Sequence, residues 1–499
     1  MSATINDLGP VSATTAGSWR AGGAFLRSLG RLAPAVYLVT ALPTVIFLTT
    51  LTPPFQAPDE TNHFRRAVQI LRGEIVGHDI EAPGWSGAQV PKNVGEVAES
   101  FSYLIGQPEK KFSAEIMRNT RKIPWNWTDR EFNSFANTVI YPPLFYLPAV
   151  GTLAAARDLG WGVLDSYLLA RLTTGIVAVL IATLAIGLAV NGRALLFVLL
   201  SLPMSLYLFA SISQDALLIA STALAMSLCS RAAGQDRALN VVERVIVAVL
   251  LGGAVAARPP YIFLLSVLLT PIVRSEVRGR TAIWARVRPL LPFAAALAIG
   301  LGWIVFGALP SQTPMRAEAG VAMAGQAKFL FWHPAWFPEV LLNTLWSNGV
   351  PHFKMFVGNL GWTDTALPPV YYPLAAYTLG LACVLAFFGR GHRLSGRWGL
   401  MLVATCVLAW AGVYGILYLT WTTVGADAVD GVQGRYFLPS ATLLAVALPA
   451  MGSALARSAP PAVARAGRHF SRATWLVLFS MAAVSDLWLP RVVFARYFG

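Results

Sequence analysis

The sequence predicts an all-α polytopic membrane protein of about eleven spans. Of its 499 residues 56% are hydrophobic and 12% charged, too apolar a balance for an ordinary soluble domain, and the mean hydropathy is +0.58. Apolar stretches of about 17 to 25 residues recur from end to end, each long enough to cross about 30 Å of hydrocarbon as a helix. The hydrophilic stretches Arg20 to Arg31, Arg231 to Arg244, Arg274 to Arg288, Arg390 to Arg397 and Arg457 to Arg472 are short, basic and poor in acids. That is the pattern of cytoplasmic loops. A transmembrane β-barrel is excluded, because its strands would alternate over about ten residues.

With the N-terminus inside, the spans fall at about 32–52, 165–190, 194–211, 215–230, 243–257, 261–273, 289–308, 371–389, 398–420, 436–456 and 473–491. Every basic loop then lies on the inner side. The first span is expected to stay as an anchor, since its apolar run exceeds a signal-peptide core and no small-x-small site follows before Pro53. The stretch Pro142 to Ala156 is short, opens on Tyr141-Pro142-Pro143 and ends at Arg157-Asp158, so it reads as a re-entrant or interfacial helix. The segment 261–273 is also short and follows Pro259-Pro260, which fits a tilted or broken span.

This divides the chain into a cytoplasmic tail (1–30), a transmembrane module (31–456) with external loops 53–141 and 309–370, and a last loop and helix (457–499). The first loop holds eleven of the 24 acidic residues, with Trp85, Trp125 and Trp127, as a small periplasmic lobe would. The net charge of +14 is therefore topological and does not point to nucleic acid. Cys229, Cys383 and Cys406 fall inside apolar runs and read as packing residues.

Under this topology Asp59, Glu60, His63, Arg66, Asp215, Arg258, Asp364, Gln433 and Arg435 all reach the external membrane surface from distant parts of the chain. A site built from loops on a helical scaffold requires such convergence. Asp59-Glu60 can simply open a helix, one as cap and one complementing the dipole. His63 and Arg66 follow at helical spacing, however, so acid, imidazole and guanidinium share a face that suits a proton acceptor, its orienting partner and a phosphate clamp. The Asp/Glu/His grouping can also hold a divalent cation, although its spacing alone does not specify a metal site.

Asp215, in Ser213-Gln214-Asp215-Ala216, is either a helix cap or a second acid facing the first. Arg258, before Pro259-Pro260-Tyr261, is either a snorkelling cation or a contact for a lipid-borne phosphate. Trp362, beside Asp364, is either an interfacial anchor or a platform for a sugar ring. Arg435, in Gln433-Gly434-Arg435-Tyr436, sits where a helix start and a guanidinium together can bind phosphate.

The run Pro58-Asp59-Glu60-x-x-His63-Phe64-x-Arg66, with Tyr141-Pro142-Pro143-Leu144, Gly361-Trp362-x-Asp364 and Gln433-Gly434-Arg435-Tyr436, resembles a bacterial membrane-protein family described only as a domain of unknown function (DUF2142-like). The similarity covers about 30–455. That family is in turn similar to the GT-C glycosyltransferases in layout: a first external loop with an Asp, juxtamembrane helices, and a second acid after the third span. The matching positions are Asp59 with Glu60, Pro142 to Ala156, and Asp215. The resemblance implies a polyprenyl-phosphate-linked sugar as donor, and a glycan or lipid acceptor at the periplasmic face of the bacterial inner membrane.

The expected reaction is inverting glycosyl transfer. Asp59 or Glu60 accepts the proton, His63 orients that carboxylate, and Asp215 steadies a substrate. Arg258 and Arg435 neutralise the leaving phosphate, while Arg66, Tyr261, Trp362, Asp364, Gln433 and Tyr436 contribute to substrate binding. A transporter or flippase of a lipid-linked glycan would carry charged residues near mid-helix and repeated broken helices, neither of which is visible. A non-catalytic envelope assembly protein would tolerate neutralisation of Asp59, Glu60 and Arg435.

Overall fold

The computed structural model describes residues 29–79, 85–274, 287–313, 316–389, 393–458 and 461–499. The expected tail up to residue 28, and the interiors of the basic stretches at 274–288 and 390–397, lie outside the described residues. The chain forms a helical membrane bundle. Among the described residues six helices are long and apolar enough to cross a membrane, or seven if one bent pair counts as a single span.

The first span, α1 (Leu29–Leu51), leads to α2 (Glu60–Leu71) and then into a lobe that is not purely helical. Strands β1 (His78–Asp79), β2 (Ser86–Pro91) and β3 (Arg130–Ser134) form an antiparallel sheet in the order β1-β2-β3, with Gly87 opposite Ser134 and Pro91 opposite Arg130. Helices α3 (Lys92–Glu99) and α4 (Ala114–Thr120) connect β2 to β3, and the single turn α5 (Ala136–Val139) follows. The all-α expectation thus needs this small sheet added. Pro142 to Ala156 is a turn at Pro143–Tyr146 followed by α6 (Leu147–Asp158). Its 12 residues rise only about 18 Å, too little to cross.

Next come α7 (Val163–Leu188), α8 (Arg193–Leu200) and α9 (Pro203–Phe209). The span expected at 194–211 is broken because Pro203 cannot donate to the Leu199 carbonyl, and the Ser205 hydroxyl satisfies that oxygen instead at 2.7 Å. Helix α10 (Gln214–Gly234) is central, with 89% of its apolar window buried, against 22% for the outer stretch Arg288–Ser311. Helix α11 (Val241–Ala257) starts on an Asn240/Glu243 capping box. After it the chain tightens into a 3₁₀ coil, Pro259–Leu269, rather than the α-helical span expected at 261–273. Helix α12 (Leu291–Trp303) follows.

The second loop carries α13 (Met323–Trp332), α14 (Trp336–Gly358) and the hairpin β4 (Asn359–Leu360) and β5 (Thr365–Ala366). The chain closes with α15 (Tyr371–Phe387), α16 (Gly396–Thr420), the short α17 (Leu438–Ala441), α18 (Leu444–Ser458) and α19 (Pro461–Tyr497). The expected span 436–456 bends by 50° between α17 and α18.

In a bilayer, close backbone approach does the work that water exclusion does elsewhere. At Gly175 an added Cβ would lie 2.7 Å from Val45 Cγ1 and 2.9 Å from the Phe209 carbonyl, so only glycine lets α7 meet α1 and α9 this closely. The loops sort to two ends of the bundle. At one end Arg193 donates to the Gly30 carbonyl, and Arg393 to the carbonyls of Asp236, Pro271 and Arg274. At the other, the last turn of α19 joins the first-loop lobe, where Phe112 N–H donates to the Tyr497 carbonyl and Lys111 to that of Ala495.

Candidate active site

At the lobe end, four charged side chains from four segments meet. Asp59 Oδ2 lies 2.7 Å from Arg435 Nη2, Arg435 Nε lies 3.6 Å from Asp215 Oδ2, and Arg258 Nη1 lies 3.0 Å from Asp215 Oδ1. Two guanidiniums and two carboxylates balance in charge. Their exposure differs: the side chains of Arg435 and Asp215 are 3% and 2% exposed, whereas that of Asp59 is 26% exposed.

Local sequence explains each placement. Asp59 precedes α2 with φ 61°, a left-handed conformation that Asp tolerates, and its side chain makes no cap bond, so the helix-cap reading fails. The carboxylate reaches outward to Arg435 and accepts from Asn137 Nδ2 at 3.0 Å, while Asn137 Oδ1 accepts from Asn62 Nδ2 at 2.8 Å. Ser213, not Asp215, caps α10, its hydroxyl accepting from Asp215 N–H, which leaves the Asp215 carboxylate to the arginines. Arg258 is extended because Pro259 follows it. It stacks 4.1 Å over the Tyr436 ring and lies 3.4 Å from the Tyr261 hydroxyl, which itself donates to the Tyr436 carbonyl at 2.7 Å. Snorkelling therefore does not describe it. Arg435 belongs to the tight turn Gly434–Phe437, pressed onto α14. A Cβ at Gly434 would lie 2.2 Å from the His352 carbonyl, so the turn can sit there only with glycine.

His63 lies beside the cluster but does not orient Asp59. Its Nδ1 is 2.6 Å from the Tyr146 hydroxyl and its Nε2 3.4 Å from Ser213 Oγ, and the ring stacks on Tyr141. Burial lowers its pKa from 6.5 to about 4 despite the neighbouring carboxylates, so the imidazole is neutral near pH 7. Asn137 takes the orienting position that sequence reasoning gave to His63. Burial likewise pushes the Tyr141 hydroxyl up to about 12.

Other expected members lie elsewhere. Glu60 is fully buried and turned away: it pairs with Arg171 Nε at 3.3 Å and accepts from Ile212 and Ala57 N–H. Asp59, Glu60 and His63 therefore do not converge on one point, and among the described residues no group of three or more His, Cys, Asp or Glu could hold a metal ion. Arg66 is no phosphate clamp here, since it donates to Gln69 Oε1 and to the carbonyls of Ile75 and Tyr141. Asp364 pairs with Arg496 at 2.9 Å, and Trp362 donates to the Phe55 carbonyl at 3.4 Å, so the hairpin braces the lobe rather than the cluster. Gln433 is half-buried at the start of the Arg435 turn.

Sequence reasoning missed Asn137, Tyr141, Tyr146, Ser213, Arg171 and Arg496. A lone arginine inside the apolar run of α7 was the available signal for Arg171, because a cation there needs a buried partner. Asp486, within α19 and hydrogen-bonded by Thr40 and Thr44, also corrects the expectation that no charged residue lies inside a span.

Next to the cluster runs an apolar groove of about 430 Å³, lined by Pro142, Pro143, Leu144, Gly253, Ile299 and Trp303 among others. Tyr141, on which His63 stacks, immediately precedes the lining residue Pro142 in the chain.

The chain matches the family described as Predicted membrane protein (DUF2142) over residues 42–444. It belongs to this family. The matched stretch spans Asp59 to Arg435, so all four charged residues lie within the DUF2142 region. No curated protein and no solved structure matches the chain.

Proposed function

We propose that this DUF2142 protein is a membrane glycosyltransferase that moves a sugar from a polyprenyl-phosphate donor to a hydroxyl of a cell-envelope glycan or lipid, with inversion. The observation that carries the reading is the linkage of Arg258 and Arg435 through Asp215, with Asp59 on Arg435, near an apolar groove lined by Pro142, Pro143 and Leu144. Guanidiniums suit a phosphate, and the groove suits the prenyl chain attached to it.

In this reading the acceptor oxygen attacks the anomeric carbon, the bond from that carbon to the phosphate oxygen breaks, and its electron pair leaves with the phosphate. The hydroxyl proton passes to Asp59, which offsets the negative charge gained by the leaving group. A phosphate leaves as a stable anion, so one carboxylate suffices. Asp215, buried between both arginines, spaces the guanidiniums rather than touching the sugar. Glu60, sealed against Arg171, is the structural member of the acidic pair.

The same proposal puts the N-terminus in the cytoplasm and the protein in the bacterial inner membrane, with eleven crossings and the cluster on the periplasmic side. It follows the sequence placement of the basic loops, and it is supported by Arg193 and Arg393, which lie at the end of the bundle away from the cluster. The transmembrane module 31–456 carries the chemistry, and 457–499 supplies the last loop and helix.

The test is transfer by purified protein with a polyprenyl-phosphate-sugar donor. Arg435→Ala should weaken donor use by about 10²-fold or more per molecule of folded protein. An Arg435→Ala protein with wild-type donor dependence would remove the phosphate role.

A further inference from the structure

The place where a donor phosphate would bind is taken by a side chain of the protein. Asp59 Oδ2 sits 2.7 Å from Arg435 Nη2, where a phosphate oxygen would lie. We propose that Asp59 is an internal stand-in for the phosphate, which holds Arg435 in the empty site and is displaced from it when the donor binds. The carboxylate becomes free to take the acceptor's proton only once the donor is in place. The inference rests on the glycosyltransferase reading and adds to it an order of events, donor before acceptor.

Four features of the cluster favour exchange at Asp59 rather than at Asp215. Asp215 is 2% exposed and shared by both guanidiniums, whereas Asp59 is 26% exposed and contacts one of them. The Asp59 side chain makes no cap bond to α2, so its carboxylate can leave Arg435 without uncapping the helix. Asn137, braced by Asn62, bonds the other carboxylate oxygen at 3.0 Å and keeps Asp59 in place after Arg435 is given up. Finally, among the described residues the buried Nε of Arg435 has no hydrogen-bond partner. A phosphate can engage Nε and Nη2 together, a bidentate contact that Asp59 leaves half made.

The contact also keeps the empty enzyme idle. A carboxylate paired with a guanidinium is a weaker base, because the neighbouring positive charge favours its ionised form, so a hydroxyl that arrives first meets a poor proton acceptor. During transfer the acceptor oxygen bonds the anomeric carbon, the phosphate departs with its oxygen and electron pair, and the proton moves to the released Asp59. When prenyl phosphate leaves and Asp59 gives up its proton to water, the pair with Arg435 re-forms.

The experiment is binding of farnesyl phosphate and of inorganic phosphate to the full-length protein in nanodiscs, wild type against Asp59→Asn. Asparagine keeps the size, tolerates the left-handed backbone and can still accept from Asn137. If Asp59 competes with phosphate, the variant binds farnesyl phosphate about tenfold tighter than wild type. Parallel tightening for inorganic phosphate shows that the headgroup suffices, and tightening for farnesyl phosphate alone shows that the prenyl chain is required. Equal or weaker binding by the variant overturns the proposal, because Asp59 would then be positioning Arg435 for phosphate, and it leaves the glycosyltransferase reading standing. Absence of binding to wild type and variant alike sinks both. Asp59→Ser, compared in the same assay and by thermal unfolding, guards against a folding defect peculiar to one substitution.

Discussion

Asp59 and Glu60 are neighbours in the chain, each paired with an arginine, yet one carboxylate is partly exposed and the other is sealed in the core. Glu60 and Arg171 are 0% and 1% exposed and tie the start of α2 to α7 and to the carbonyls of Thr52 and Ala210. Asp59 and Arg435 form a contact whose carboxylate is partly exposed. A buried pair with further hydrogen bonds to the backbone fixes geometry. A pair with one partner partly exposed, and with no helix cap depending on it, leaves room for exchange.

The largest effect should come from breaking the sealed pair. Arg171→Ala leaves the Glu60 charge uncompensated and should cost about 3–5 kcal/mol of stability, read as loss of folded protein or a steep fall in Tm in detergent. Normal stability in that variant would erase the contrast between the two acids. Next, Arg258→Ala, which leaves the buried Asp215 with Arg435 as its remaining partner, should lower turnover per molecule of folded protein by about 10²–10³-fold, as loss of a guanidinium aimed at developing charge should. An unchanged rate would limit Arg258 to holding Asp215 and Tyr436.

A smaller effect is expected of pH through His63, whose folded pKa of about 4 lies below the ordinary 6.5. The unfolded chain binds the proton more readily, so this contribution is fully present above about pH 6.5 and is lost as the pH falls toward 4. His63→Gln should flatten that part of the stability profile. A wild-type profile in the variant would place the dependence elsewhere. The smallest change should come from Asn137→Ala, which removes one hydrogen bond to a charged group worth about 1.5–3 kcal/mol. It should lower kcat more than it raises the donor KM, and a pure KM effect would make Asn137 a donor contact instead of a positioning residue.

Hydropathy and arginine placement made much of the architecture legible, because length and charge set where an apolar helix can lie. They could not show that Pro203 splits one expected span, or that the chain after Pro259 winds as a 3₁₀ coil, since both are hydrogen-bonding outcomes invisible to an average over a window. The same limit governs the site. Asp59, Asp215, Arg258, Tyr261, Arg435 and Tyr436 were readable as residues sharing one end of the bundle, and they do meet. Glu60, Arg66, Trp362 and Asp364 share that end but point into other partners, because proximity along the chain does not fix the direction of a side chain. Arg496 was passed over because it follows the last apolar run, although it donates to the carbonyls of Leu104, Gln107 and Lys110 and locks the lobe to α19.

The most direct test is release of prenyl phosphate from a labelled polyprenyl-phosphate-sugar in the presence of membrane acceptor, with wild type and Asp59→Asn proteins of equal thermal stability. The account predicts release by the wild type and a loss of about 10²–10⁴-fold in the variant, the range of a missing proton acceptor. Release at the same rate from both, or none from the folded wild type with its acceptor present, would contradict it.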